Sequence, residues 1–75
     1  MPPNDKNKSS LRTIRTEKKI SQKELSDMTG ISIRCIKYYE ALTQTPTLIN
    51  AYKISQSLDA DIETIFPYTE ITKNI

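Results

Sequence analysis

The chain contains no histidine, one cysteine and one glycine. Without histidine it lacks the side chain most often used for acid–base work near neutral pH, and no nucleophile stands beside a base at a recognisable spacing. With Gly30 alone there is no glycine-rich phosphate loop either. These absences argue against an enzyme. A single cysteine excludes a disulfide framework, and no cluster of His, Cys and Asp has ligand spacing, so neither a metal nor a cofactor is expected. No apolar run approaches the roughly 20 residues of a membrane helix, and the opening MPPNDKNKSS lacks the apolar stretch of a secretory signal. The chain therefore reads as cytoplasmic, with no membrane partner and no small-molecule ligand evident. Its 75 residues suffice for one small domain, which on folding buries only about 60% of its unfolded surface. Stability must come from helices packed on one tight core.

What is present is an uneven distribution of charge. Residues 1–40 hold nine basic side chains (Lys6, Lys8, Arg12, Arg15, Lys18, Lys19, Lys23, Arg34 and Lys37) against five acidic ones, a surplus of four. Residues 41–75 hold Lys53 and Lys73 against Asp59, Asp61, Glu63 and Glu70, a deficit of two. Such asymmetry suits a molecule that turns one face towards a polyanion.

The cationic half contains Ser21 to Glu40, SQKELSDMTGISIRCIKYYE, centred on Gly30. A lone glycine suggests a place where a side chain cannot go, and a tight turn between two helices needs a residue at positive φ. Residues 1–9 are polar, carry two prolines and read as a flexible arm; extended, nine residues span about 30 Å, enough for Lys6 and Lys8 to reach a neighbouring groove, although an ordinary frayed terminus is the simpler reading. The domain is expected over 10–67. Leu11, Ile14 and Arg15, followed by Lys18 and Lys19, fit a short first helix with cations near its C-terminal end, after which Ile20 turns inward. Ser21 and Glu24 form a capping box for a second helix ending near Thr29, with Leu25 and Met28 inward and the small Ser26 at the crossing. Ser32 caps a third helix, which ends near Glu40 or Leu42 and keeps Ile36 and Tyr39 inside. Pro46 closes the following loop and Thr47 caps a fourth helix whose stripe is Leu48, Ala51, Ile54 and Leu58. Asp61 is expected to cap a short fifth helix, with Ile62, Ile65 and Phe66 completing the core and Pro67 ending it. The tail 68–75 holds Tyr68, Ile71 and Ile75. Two helices joined by a glycine turn in the basic half read as a DNA-reading helix-turn-helix.

From Leu11 to Phe66 these residues resemble the Cro and phage-repressor, or xenobiotic-response-element (XRE), type of helix-turn-helix. The resemblance rests on LRTIRTEKKISQKEL, the turn TGIS, a third helix ending in YE, then TPTL and DIETIF, and no gap is needed. Counted from Gln22, Leu25, Ser26 and Gly30 fall at positions 4, 5 and 9, and Ile31, Ile36 and Tyr39 at positions 10, 15 and 18. It implies an all-α, five-helix, lambda-repressor-like domain with the helix-turn-helix at helices 2 and 3. The chain departs from the family where Leu42 and Asp59 stand at common glycine positions, and where Ala41 and Thr45 replace a usual Arg and Asn. The string ISIRCIKYYE also looks like a mercury-regulator (MerR) type motif, but a full helix precedes it here and the next segment does not read as a wing.

With the third helix in a major groove, the resemblance implies roles for its outer side chains. Arg34 would pair with both acceptors of a guanine edge, Lys37 would meet a base or phosphate, Ile33 would pack on a thymine methyl, and Tyr38 would bond a phosphate oxygen. Gln22, Lys23, Thr43 and Gln44 are the expected phosphate contacts, the last two as hydrogen-bond donors rather than charges. Cys35, near the helix start, reads as a small packing residue in preference to a redox switch. The expected activity is sequence-specific regulation of transcription, with repression favoured. The partners are double-stranded DNA and a second copy of the chain, joined through helix five and the tail at Ile71 and Ile75. The competing class is a protein-interaction module of the same fold.

Overall fold

The computed structural model describes residues 9–67; the arm with Lys6 and Lys8 and the tail with Tyr68, Ile71 and Ile75 lie outside the described residues. Five helices follow one another, α1 (Ser10–Glu17), α2 (Gln22–Thr29), α3 (Ile33–Glu40), α4 (Leu48–Leu58) and α5 (Ile62–Ile65), with no strand among the described residues. A helix precedes the α2–α3 unit, and α4 follows it without a wing. That disposes of the mercury-regulator alternative.

Each of the first four helices starts on a hydroxyl that accepts from the backbone three residues on, which satisfies one of the donors a helix N-terminus leaves open. Ser9, itself buried, accepts from the Arg12 N–H at 3.1 Å. Ser21 accepts from the Glu24 N–H at 3.0 Å while the Glu24 carboxylate takes the Ser21 N–H at 2.8 Å, so the capping box is complete. Ser32 and Thr47 do the same for Cys35 and Asn50, each at 3.1 Å. Asp61 occupies the equivalent place before α5, but its side chain makes no capping bond. With only four residues, α5 has little dipole to answer, and packing of Ile65 and Phe66 holds it in place.

The core consists of Leu11, Leu25, Ile31, Ile36, Tyr39, Ala51, Ile54, Leu58, Ile65 and Phe66, with Ile14, Ile20, Cys35, Ala60 and Ile62 partly buried against it. Two expected members are missing. Met28 is 51% exposed and Leu48 is 79% exposed. On α2 the inward partner of Leu25 lies four residues on, at Thr29, instead of three. The Thr29 hydroxyl donates to the Leu25 carbonyl at 2.8 Å and accepts from the Ile31 N–H at 3.1 Å, so its burial leaves no polar atom unsatisfied. On α4 the buried stripe begins at Ala51 and continues through Ile54, Ser55 and Leu58. Of the first turn of α4, Ala51 enters the core and Asn50 reaches the Tyr39 hydroxyl, while Leu48 and Ile49 stay in water.

Gly30 ends α2 at φ 76°, and a methyl group added there would meet no atom within 4 Å. Space does not exclude a side chain at this site; the left-handed backbone does. Asp59 ends α4 in the same conformation, at φ 51°. These two positions should respond oppositely. Gly30→Ala is expected to destabilise by about 1 kcal/mol, and Asp59→Gly to stabilise by about 0.5–1 kcal/mol, as read by urea unfolding. A Gly30→Ala loss above about 3 kcal/mol would point to a steric role instead. Leu42 also adopts positive φ, at 61°. That conformation lets the Thr43 N–H close on the Tyr38 carbonyl at 3.0 Å and terminates α3.

Candidate nucleic-acid interface

Helix α3 divides cleanly into two faces. Ile36, Tyr39 and Glu40 are buried, whereas Arg34 and Lys37 are exposed and Ile33 and Tyr38 are open at 36% and 38%. At helical spacing the four outer residues form one continuous strip, since 33 and 37, and 34 and 38, are four apart, and 34 and 37 three apart. Among the described residues neither Arg34 nor Lys37 takes part in an ion pair. The acid nearest in sequence, Glu40, points the other way and is buried. The strip therefore carries two uncompensated cations.

The inner face fixes how that strip is presented. Tyr39 sets its ring edge-on to Phe66, with centroids 6.3 Å apart, and its hydroxyl accepts from the Asn50 side-chain amide at 2.9 Å. Glu40 receives three donors. Arg15 Nε reaches one carboxylate oxygen at 2.5 Å and Arg15 Nη2 the other at 3.2 Å, while Gln22 Nε2 donates to that second oxygen at 3.0 Å. The remaining end of the guanidinium, Nη1, donates to the Ile20 carbonyl at 2.7 Å. One buried carboxylate thus ties α1, the start of α2 and the end of α3 together. Side-chain exposure of only 9% for Arg15 and 5% for Glu40 leaves little water to compete with the pair.

Reading the sequence alone overlooks Arg15 and Glu40 as a pair. A signal is nevertheless present, because each sits four residues after one apolar core position and one residue after another: Leu11, Ile14, Arg15 on α1 and Ile36, Tyr39, Glu40 on α3. A charge in an apolar arc requires a partner, and here the two odd charges have opposite signs.

The expected phosphate contacts fare differently from one another. Gln22 is half-buried beside the N-terminus of α2, and Glu40 takes one of its two amide hydrogens. Lys23 is exposed and faces Asp27 at 3.4 Å, four residues on, in an open pair of the kind worth little in water. Thr43 is exposed, but its hydroxyl donates to the Tyr38 carbonyl at 3.2 Å, so it caps α3 and has its single hydrogen in use. Gln44 is exposed in the loop that follows. Cys35 is a free, partly buried thiol packed against the core.

An eight-residue helix is about 12 Å long, and the major groove of B-form DNA is about 12 Å wide, so α3 with its strip outward has the dimensions and charge to enter it. Among the described residues no group of His, Cys, Asp and Glu is placed to hold a metal ion, and no helix is long and apolar enough to cross a membrane. A helix-turn-helix family model matches residues 11–65. No curated protein matches the chain.

Proposed function

The chain belongs to the Cro/C1-type, XRE helix-turn-helix family of DNA-binding regulators, and from that premise we propose that it is a repressor that occupies a near-palindromic operator as a homodimer. The observation that carries this reading is the outer strip of α3, with two unpaired cations flanked by Ile33 and Tyr38 on a helix whose inner face is locked to three other elements. In this reading α3 lies in the major groove. Arg34 reads a guanine edge, Lys37 meets a base or phosphate, Ile33 packs on a thymine methyl, and Tyr38 bonds the backbone. Gln22 uses its second amide hydrogen on a phosphate at the N-terminus of α2, where the helix dipole also favours an anion. Lys23 and Gln44 add contacts on either side. Thr43 contributes after its hydroxyl leaves the Tyr38 carbonyl.

Repression follows from occupancy: a dimer whose two α3 helices lie one helical turn apart, about 34 Å, covers a promoter segment that polymerase needs. A molecule of this kind works in the cytoplasmic compartment that holds the DNA. Selection of binding sites from random duplexes tests the reading, with a near-palindrome as the expected product. Binding to the selected site should weaken with added salt, at a log–log slope of about −0.9 per phosphate neutralised. Salt-independent, weak duplex binding would favour the same fold used as a protein-interaction module.

A further inference from the structure

Among the described residues, the three large apolar side chains most open to water lie together on α4, where Leu48, Ile49 and Tyr52 are 79%, 67% and 57% exposed. At 100° per residue they share one arc of the helix, distinct from the arc of Ala51, Ile54, Ser55 and Leu58 that faces the core. The outer arc is not free of charge. Lys53 is exposed at its rim, between Ile49 and Asn50 around the helix. No acid occurs on α4, and among the described residues Lys53 makes no ion pair. An apolar face with one unanswered cation at its edge fits an apolar segment that carries one acid.

Such a segment begins where the described residues end. Residues 68–75, YTEITKNI, place Tyr68, Ile71 and Ile75 at intervals of three and four, and Glu70 is their one acid. The chain enters this segment close to α4. Phe66 lies edge-on to Tyr39, and the Tyr39 hydroxyl holds the Asn50 amide, so a single tyrosine ring separates Phe66 from the first turn of α4. Eight residues span up to about 27 Å and the helix is only about 16 Å long, which puts the whole face within reach. The order of residues also fits. Leaving Phe66 on the Asn50 side, the chain passes Lys53 before Ile49 and Tyr52, and along the sequence Glu70 comes before Ile71 and Ile75.

We propose that residues 68–75 fold back over this face within the same chain, with Glu70 against Lys53 and with Ile71 and Ile75 on Leu48, Ile49 and Tyr52. The contact is modest in area. An apolar patch of a few hundred Å² is small for two separate molecules, but a tethered segment meets it at an effective concentration in the millimolar range. The tail is thus a cover that exchanges between docked and released, and its release opens α4 to any other surface. It does so whether or not α3 reads DNA.

Nuclear magnetic resonance of the full chain, at high and low concentration, tests the cover. Nuclear Overhauser contacts are expected from the Ile71 and Ile75 methyl groups to the Tyr52 ring and the Leu48 methyl groups, with a strength that does not change with concentration. Ile71→Gln/Ile75→Gln should abolish them and shift the Leu48 and Ile49 methyl resonances, while those of Leu25 and Ile36 in the core stay in place. Read from the same methyl shifts, Lys53→Glu should lower the docking constant by about threefold, and Lys53→Glu/Glu70→Lys should restore it. Three results would overturn the proposal. The first is no shift at Leu48 and Ile49 in the tail variant. The second is contacts that arise only between differently labelled copies in a mixed sample, which would give the face to a second molecule. The third is a charge reversal at Lys53 that has no effect, or that Glu70→Lys fails to reverse. A protein that shows these contacts but binds no duplex keeps the cover and loses the DNA reading.

Discussion

Replacing Glu40 by alanine is expected to lower the unfolding free energy by about 3–5 kcal/mol, because it leaves the Arg15 guanidinium buried without its counter-charge. The same change removes the acceptor of Gln22, so three donor groups on two side chains lose their partner at once. A domain of this size has only about 5–15 kcal/mol to lose, and its melting temperature should fall by roughly 15–30 °C. Replacing both members with apolar residues, Arg15→Met with Glu40→Leu, should bring stability back close to the wild type. A buried pair recovers little more than the cost of its own desolvation. Binding should behave differently. The apolar pair refolds the domain without holding Gln22, so affinity for duplex DNA should stay below that of the wild type. Thermal melts followed by circular dichroism, together with duplex titrations, check both halves. A Glu40→Ala protein within about 1 kcal/mol of the wild type would show that water reaches the pair and that the network does not hold the three helices.

Arg34→Ala should cost about 1–3 kcal/mol of duplex binding and relax the preference at a single base position of the selected site. Arg34 is exposed and makes no ion pair among the described residues, so unfolding should change by no more than about 0.5 kcal/mol. That separation distinguishes a reader from a structural residue. Lys37→Ala distinguishes a phosphate contact from a base contact. If Lys37 neutralises a phosphate, the salt slope should shrink by about 0.9 and all sequences should weaken alike; if it reads a base, one position should lose its preference. An Arg34→Ala protein that selects the same site with the same affinity would remove Arg34 from the reading strip.

Much of this protein is local, and what is local is legible in a single sequence. The Ser21–Glu24 capping box, the hydroxyl caps at Ser32 and Thr47 and the stop at Gly30 each depend on a few consecutive residues, so their spacing is enough to place helix boundaries. The outer strip of α3 is legible for a related reason. Once Ile36 and Tyr39 are inward, the 100° step leaves Ile33, Arg34, Lys37 and Tyr38 outward. Periodicity misjudges Met28 and Leu48 because it finds an apolar arc without knowing which of its positions a neighbouring helix covers. It also passes over Thr29 and Ser55, which are polar by composition yet buried once their hydroxyls bond to the Leu25 and Ala60 carbonyls.

By itself, then, the sequence determined an all-helical domain, the turn at Gly30 and the side chains α3 presents, since each follows from short-range rules of capping, handedness and period. Only the tertiary structure decided that Arg15 and Glu40, 25 residues apart, close on one another, and that Gln22 is held in the same cluster. Only it left Met28 and Leu48 outside the core. These outcomes depend on which helices lie side by side and where one ends against another, and no pattern within a single helix carries that information.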